Sequence, residues 1–348
     1  MIARLLVVVC AVSLASPLAA QITARDGVRI RLSGRVHPQY NSTSVTTEPR
    51  QQMLLRRARL TFDVSTGWLS ARIEPDVGEG ELSVKDAWVG FDMGGGLQVR
   101  LGQFKRPFDL FELTSSTQIL VVERAGGIRG VSACDGVGGV CSFSRLTERL
   151  GYADRDIGVD ASAAVGGFTI TAAMTNGTGA NTEDENGAKS FTGRITRRLG
   201  SLTLAANVGA HDYIHTVGGS DEYGIAFGGD LEYGRYDDGL HIQAGVVLGD
   251  NWAVPVGADG SAAFRTAQAI VTYAVPVAGT RLRGIEPLAR LSWADPNSSV
   301  ADDHGILVTP GINVLFGNRN RLAVNVDVWL PAVGDSEYSV KVQQFFYF

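Results

Sequence analysis

Apolar and polar side chains alternate with a period of two along most of this chain. The alternation runs in segments of about ten residues, the signature of strands that are apolar on one face and polar on the other. Sixteen segments are predicted as strands: 28–40, 52–66, 68–77, 83–92, 95–104, 154–165, 168–177, 189–199, 202–213, 222–235, 239–250, 263–275, 281–294, 304–316, 320–330 and 337–348. In the second, Leu60, Phe62 and Val64 oppose Thr61 and Asp63. In the fifteenth, Leu322, Val324, Val326 and Val328 oppose Ala323, Asn325 and Asp327. In the last, Tyr338, Val340, Val342, Phe346 and Phe348 share a face that only Gln344 breaks. Helical periodicity over a dozen residues is absent.

The connections alternate too. Ser65–Gly67, Met93–Gly95, Gly166–Gly167 and Gly200–Ser201 are tight turns, whereas 41–51, 105–153, 178–188, 251–262 and 295–303 are long and polar. Short turns at one end and long loops at the other predict a transmembrane antiparallel β-barrel of about 16 strands. In lipid every backbone N–H and C=O must be paired, and a closed sheet pairs them without leaving an edge. A soluble sandwich would need two very large sheets to bury these faces, and no repeat period supports a solenoid. An even strand count puts both termini at the short-turn end. The final Phe348 ends the chain on an aromatic in the apolar phase, as bacterial outer-membrane proteins do.

The first twenty residues carry one charge, Arg4, then the apolar run Leu5–Leu14 and small residues up to Ala20, the layout of a cleaved secretory signal. The expected organisation is a signal peptide over 1–20 and one barrel domain over 21–348, exported to a bacterial outer membrane and surrounded by its lipid. Removing the signal leaves 30 basic against 36 acidic side chains, which moves the formal net charge from −5 to −6 and argues against nucleic acid as a partner. Cys10 leaves with the signal. Cys134 and Cys141 remain, and an oxidising compartment favours their pairing as a disulfide. Two cysteines without matching ligands make a poor zinc site, so neither metal nor other cofactor is expected.

If the apolar face meets lipid, the other face lines a lumen. The second segment then turns Arg57, Arg59, Thr61 and Asp63 inward and Leu54, Ala58, Leu60 and Phe62 outward; Arg56 falls in the outward phase and either snorkels or marks a bulge. The third gives Arg72, Glu74 and Asp76 inward, the fourth Asp86 and Trp88, the fifth Gln98 and Arg100, and the thirteenth Glu286, Arg290 and Ser292. After Leu97–Gly102 the alternation stops and the chain runs without a period to about Ala153, through Lys105, Arg106, Arg124 and Arg129. A connection of that length is usually functional. Folded inward, it would set a constriction where residues 105–124 meet the wall of segments two to five. Arginine forks suit phosphate and carboxylate oxygens, and rings of Arg or Lys make a pore anion-selective. The pore-lining, anion-binding candidates are Arg57, Arg59, Arg72, Asp86, Arg100, Lys105, Arg106 and Arg124. Against this, Asp63, Glu74, Asp76 and Asp86 can neutralise the arginines.

The pieces RRARLTFDV (56–64), KDAWVGF (85–91), LGQFKRPFDL (101–110) and TSSTQILVVER (114–124) resemble the phosphate-selective porin O and P family, as do 155–179 and EPLARLSW (286–293). The resemblance implies sixteen strands, an inward-folded loop after the strand ending in GQFK, a homotrimer, and uptake of small anions such as phosphate. It also implies anion contact for Arg57, Arg59, Lys105 and Arg124. The basic lumen is built on arginine, since the chain holds four lysines only: Lys85, Lys105, Lys189 and Lys341.

His211 and His215 lie four apart on one strand, about 13 Å at 3.3 Å per residue, which suits a polar rim better than one metal. The acidic run 182–186 reads as a solvated loop tip. An enzyme would need a nucleophile or a carboxylate pair at a rim, and none of the five histidines (37, 211, 215, 241, 304) lies beside such a motif. The expected function is a passive outer-membrane diffusion channel with anion preference, extending to phosphate or polyphosphate. A general, weakly selective porin is the alternative, ahead of an outer-membrane enzyme or a structural barrel.

Overall fold

The computed structural model of the chain describes residues 20–23, 27–214, 219–257, 260–279 and 281–348. The segment read as a signal, up to residue 19, lies outside them, as does His215. Sixteen antiparallel strands form the wall: β1 (Arg29–Thr43), β2 (Gln51–Thr66), β3 (Leu69–Asp76), β4 (Ser83–Gly94), β5 (Leu97–Lys105), β6 (Arg155–Val165), β7 (Phe168–Thr175), β8 (Ser190–Leu199), β9 (Leu202–Ile214), β10 (Asp221–Arg235), β11 (Asp238–Pro255), β12 (Ser261–Pro276), β13 (Leu282–Asp295), β14 (Gly305–Phe316), β15 (Arg321–Pro331) and β16 (Glu337–Tyr347). Each pairs with the next, and β16 pairs with β1 from Ser339↔Thr43 to Tyr347↔Arg35, which closes the barrel. Backbone bonds in both directions between Gly34 and Phe348 complete the seam. The short segment Ala20–Thr23 adds to the start of β1. Among the described residues no helix is long and apolar enough to cross a membrane.

The alternation becomes two faces. Leu60, Phe62, Ile73, Val89, Leu101 and Ile170 are exposed on the outside, whereas Arg35, Arg59, Thr61, Glu74, Asn313 and Asp327 are buried on the inside. One departure lies in β2. His37 pairs with Arg57 but Pro38 with Leu55, so Arg56 is an extra residue, a β-bulge. A bulge flips the phase beyond it. Leu54, expected outside, therefore pairs with the buried Gln39 and faces in, while Met53 and Leu55 face out.

Between β5 and β6 the chain spends residues 106–154 on a connection with two short helices, α1 (Leu110–Leu113) and α2 (Phe143–Arg149). The Asp109 carboxylate caps the first by accepting from the Glu112 N–H at 2.7 Å, and Ser142 caps the second. Cys134 and Cys141 are joined as a disulfide with Cα atoms 4.6 Å apart. Apolar side chains of this connection, among them Phe108, Phe143, Leu146 and Tyr152, pack with inward-facing Phe264, Ile270, Leu288, Leu307 and Trp329 of β12–β15 into one buried cluster. That half of the lumen is a packed interior. The half beside β1–β6 is not.

Candidate functional site

A cavity of about 650 Å³ lies between the β1–β6 wall and residues Leu113–Gln118 and Arg124 of the connection. The connection is held across the lumen by the opposite wall. Arg290 on β13 donates to the carbonyls of Glu123 and Arg124 at 2.7 and 2.6 Å. Asn325 on β15 accepts from the Val122 N–H at 2.7 Å, Asn313 on β14 donates to the Leu120 carbonyl, and Arg321 donates to that of Ile119. Arg290 is itself paired with Asp327, which also holds Lys341. Residues 119–124 are thus pinned to β13–β15, and hydroxyl-rich Ser115–Thr117 face the cavity.

Nine basic side chains line this cavity (Arg31, Arg35, Arg59, Arg72, Arg100, Lys105, Arg124, Arg155 and Arg319) against three acidic ones, Asp63, Glu74 and Asp86. The strand period explains most of them: Arg31 and Arg35 on β1, Arg59 and Asp63 on β2, and Arg72 and Glu74 on β3 each stand two or four residues apart on one face. The bases share carboxylates. Asp63 takes Arg31 at 2.8 Å and Arg72 at 2.7 Å. Glu74 takes Arg35 and, at 3.2 Å, Arg59, whose Nε also reaches Asp76 at 2.6 Å. Asp86 holds Arg155 at 2.7 Å, and Asp160 holds Arg100. Three of these carboxylates, Asp76, Asp160 and Glu112, stand behind the lining. Glu112 on α1 sits between Lys105 at 3.0 Å and Arg124 at 3.5 Å. Burial pushes its carboxyl up, but Arg124, Lys105 and Arg155 outweigh burial and hold it at about 2. Glu123 behaves likewise: burial opposes Arg56 and Arg57, which lower it to about 2. Its carboxylate accepts from Arg56 at 2.7 Å, so the bulge residue of β2 clamps the connection.

Six of the eight sequence candidates meet at this cavity: Arg59, Arg72, Asp86, Arg100, Lys105 and Arg124. Two do not. Arg106 is fully buried, paired with Asp156 and beside His211 Nδ1 at 3.2 Å; it turns away from the cavity because β5 ends at Lys105. Arg57 is buried beyond the cavity, with Nε and Nη1 lacking hydrogen-bond partners among the described residues. His211, expected at a rim, lies instead under the connection against Trp252 and Tyr152. Four basic contributors escaped the sequence reading, among them Arg319 in the turn between β14 and β15. Arg31 and Arg35 carried a signal, the RIRLSGR alternation of β1. Arg155 carried none, because it shares the outward phase of Ile157 and Val159 and reaches Asp86 from the first position of β6.

The sequence over residues 30–220 matches the family model described as phosphate-selective porin O and P. No curated protein matches the chain. Among solved structures, the outer membrane channel DcaP of Acinetobacter baumannii superposes with a TM-score of 0.64 at 13% identity, covering 93% of this chain and 99% of that one. An anion-selective porin from Comamonas acidovorans gives 0.63 at 16% identity, covering 92% and 100%. OmpT of Vibrio cholerae in a trimer form gives 0.58 at 12% identity, covering 92% and 99%. These likenesses establish the closed sixteen-stranded porin fold, and with the family match over more than half its length the chain belongs to the phosphate-selective porin O and P family of outer-membrane channels.

Proposed function

We propose that this channel is a passive, anion-preferring diffusion pore whose constriction lies between residues 105–124 and the β1–β5 wall. The observation that carries the reading is the charge around the cavity: nine basic side chains line it and eight of them share six carboxylates, in a chain whose overall charge is negative. Eight of the bases are partly neutralised and so are moderate sites, and conduction needs several moderate sites rather than one tight one. The eight sequence candidates then divide. Arg59, Arg72, Arg100, Lys105 and Arg124 meet the passing anion, Asp86 orients Arg155, and Arg57 and Arg106 set the field from behind the wall. Phosphate belongs to the solutes tested because of the family. Export through a signal cleaved after Ala20, and assembly as a homotrimer in outer-membrane lipid like the OmpT trimer form, belong to the same reading.

Planar-bilayer recordings in a KCl gradient test it. The expected reversal potential is anion-selective, and joint replacement of Arg59, Arg72 and Lys105 by Ala should move it toward zero or to the cation side. A wild-type channel that is cation-selective sinks the proposal. A weakly selective pore is the second reading, favoured by the carboxylate paired with nearly every lining base; a reversal potential near zero in the wild type would select it.

A further inference from the structure

Of the nine bases that line the cavity, eight are ion-paired with carboxylates, and the ninth, Arg319, is not. Among the described residues its side chain has neither an ion pair nor a hydrogen bond. It stands exposed in the short turn between β14 and β15, at the end of the barrel where both termini lie. The Asn320 N–H donates to the Gly317 carbonyl at 3.2 Å, and the Phe316 N–H to the Asn320 carbonyl at 2.8 Å. Asn318 and Arg319 both take left-handed backbone, with φ +63° and +65°. That is the hairpin turn whose twist suits the strands, and its second central position favours glycine. An arginine there is strained by its own Cβ, so closing the hairpin does not explain it.

The surroundings do. Asn320 Oδ1 accepts from the Tyr347 N–H at 2.7 Å, which ties the turn to the end of β16 beside the barrel seam. Arg319 there lines two cavities at once. One is the basic cavity described above. The other, of about 440 Å³, lies beside the ends of β12–β14 and is lined by Asp237, Asp238 and Arg283. Asp238 is taken by Arg235 at 2.6 Å, and Asp237 acts on Arg319 only at longer range. Arg319 therefore joins two parts of one mouth, and no close acid offsets its charge. A base paired with a carboxylate presents a dipole, whose pull fades faster with distance than that of a free charge. An unpaired charge at one mouth raises the local anion concentration on that side alone. Anions driven from the Arg319 side enter an enriched mouth, whereas anions from the long-loop side do not. In water a unit charge at roughly 8 Å enriches a monovalent anion about 1.5-fold when about 0.1 M salt screens it.

We infer that Arg319 makes this channel conduct anions asymmetrically by gathering them at the short-turn mouth; the inference rests on the anion-channel reading above. The test uses the full-length protein in planar bilayers, added to one chamber so that channels insert in one orientation. Currents are compared at equal and opposite voltages. In about 0.1 M KCl the wild type should pass about 1.5-fold more current in one direction, and the ratio should fall to one in about 1 M KCl. In potassium phosphate at pH 8, where the anion is mainly divalent, the low-salt ratio should rise to about twofold. Arg319→Gly, which suits the left-handed turn, should bring the ratio close to one, while the eight paired bases keep the reversal potential anion-selective. Arg319→Lys should keep the asymmetry, and Arg319→Glu should reverse it. Equal wild-type currents in both directions at low salt, or an asymmetry that Arg319→Gly and Arg319→Glu leave untouched, would overturn the inference alone. A cation-selective wild type would overturn the anion reading and this inference with it. The wild-type ratios at the two salt concentrations decide the matter even where a variant does not assemble.

Discussion

The two halves of the lumen obey different solvents although one sheet builds both. Beside β12–β15 the inward phase holds Phe264, Ile270, Leu288, Leu307 and Trp329, which pack on the connection like a globular core. Beside β1–β6 the same phase holds Arg31, Arg35, Arg59, Arg72 and Arg100 around a cavity. In the packed half, burial of apolar area fixes position, at about 25 cal/mol per Å² removed from water. In the charged half, shared carboxylates fix side-chain direction, and the partly exposed pairs of Asp63 with Arg31 and Arg72 contribute only about 0–1 kcal/mol each. Rigidity on one side holds the connection still while the other side stays open to solutes.

The contrast can be broken by substitution. Asp327→Ala should have the largest effect, since it leaves Arg290 and Lys341 buried without their carboxylate; about 3–5 kcal/mol of stability should be lost. Denaturant unfolding in detergent checks it, with noisier single-channel currents as 119–124 loosens. Leu146→Ala, wholly inside the packed half, should cost about 2–5 kcal/mol and raise hydrogen exchange across 140–150. Arg31→Ala in the charged half should change stability by no more than about 1 kcal/mol, because Arg31 is more than half exposed and Asp63 keeps Arg72, yet shift the reversal potential. If Arg31→Ala unfolds the barrel while Leu146→Ala is silent, the division is wrong.

Titration gives the smallest effect. Burial pushes the Glu148 carboxyl up to about 7, with Asp154 and Glu112 adding to the shift, and pushes Asp109 up to about 6. Both acids bind their proton more tightly in the folded connection, so they favour its seating at low pH, and that favour is lost as pH rises through 6 to 7. Glu112 and Glu123, held at about 2, act oppositely: their contribution is present above about pH 4.5 and fades as pH falls toward 2. Exchange protection of residues 109–124 and 142–150 should therefore peak between about pH 4 and 5. A flat profile would remove these four acids from the account.

Most of the wall was legible because a strand in lipid has only two environments, and alternation between them is written in every residue. The sixteen segments matched the strands to within a few residues at nearly every end. The bulge at Arg56 was visible as a charge in the wrong phase, but its effect on Leu54 needed the register. The packed half was harder to see. Phe264, Leu288 and Trp329 stand in the phase reserved for polar groups, and only the knowledge that Phe143 and Leu146 come to cover them makes that sensible. Ion partners were beyond reach: Arg290 meets residues 123 and 124 across the barrel, and no local pattern encodes a contact of that separation.

The sharing of acids has a consequence for how such a channel changes over generations. Asp63 serves Arg31 and Arg72, and Glu74 serves Arg35 and Arg59. Replacing one of these acids by its amide leaves the backbone and every arginine in place but removes a negative charge from beside two guanidinium groups at once. A lineage therefore need not acquire new bases to make this lumen more positive. It can drift there by losing acids one at a time, and return by regaining them.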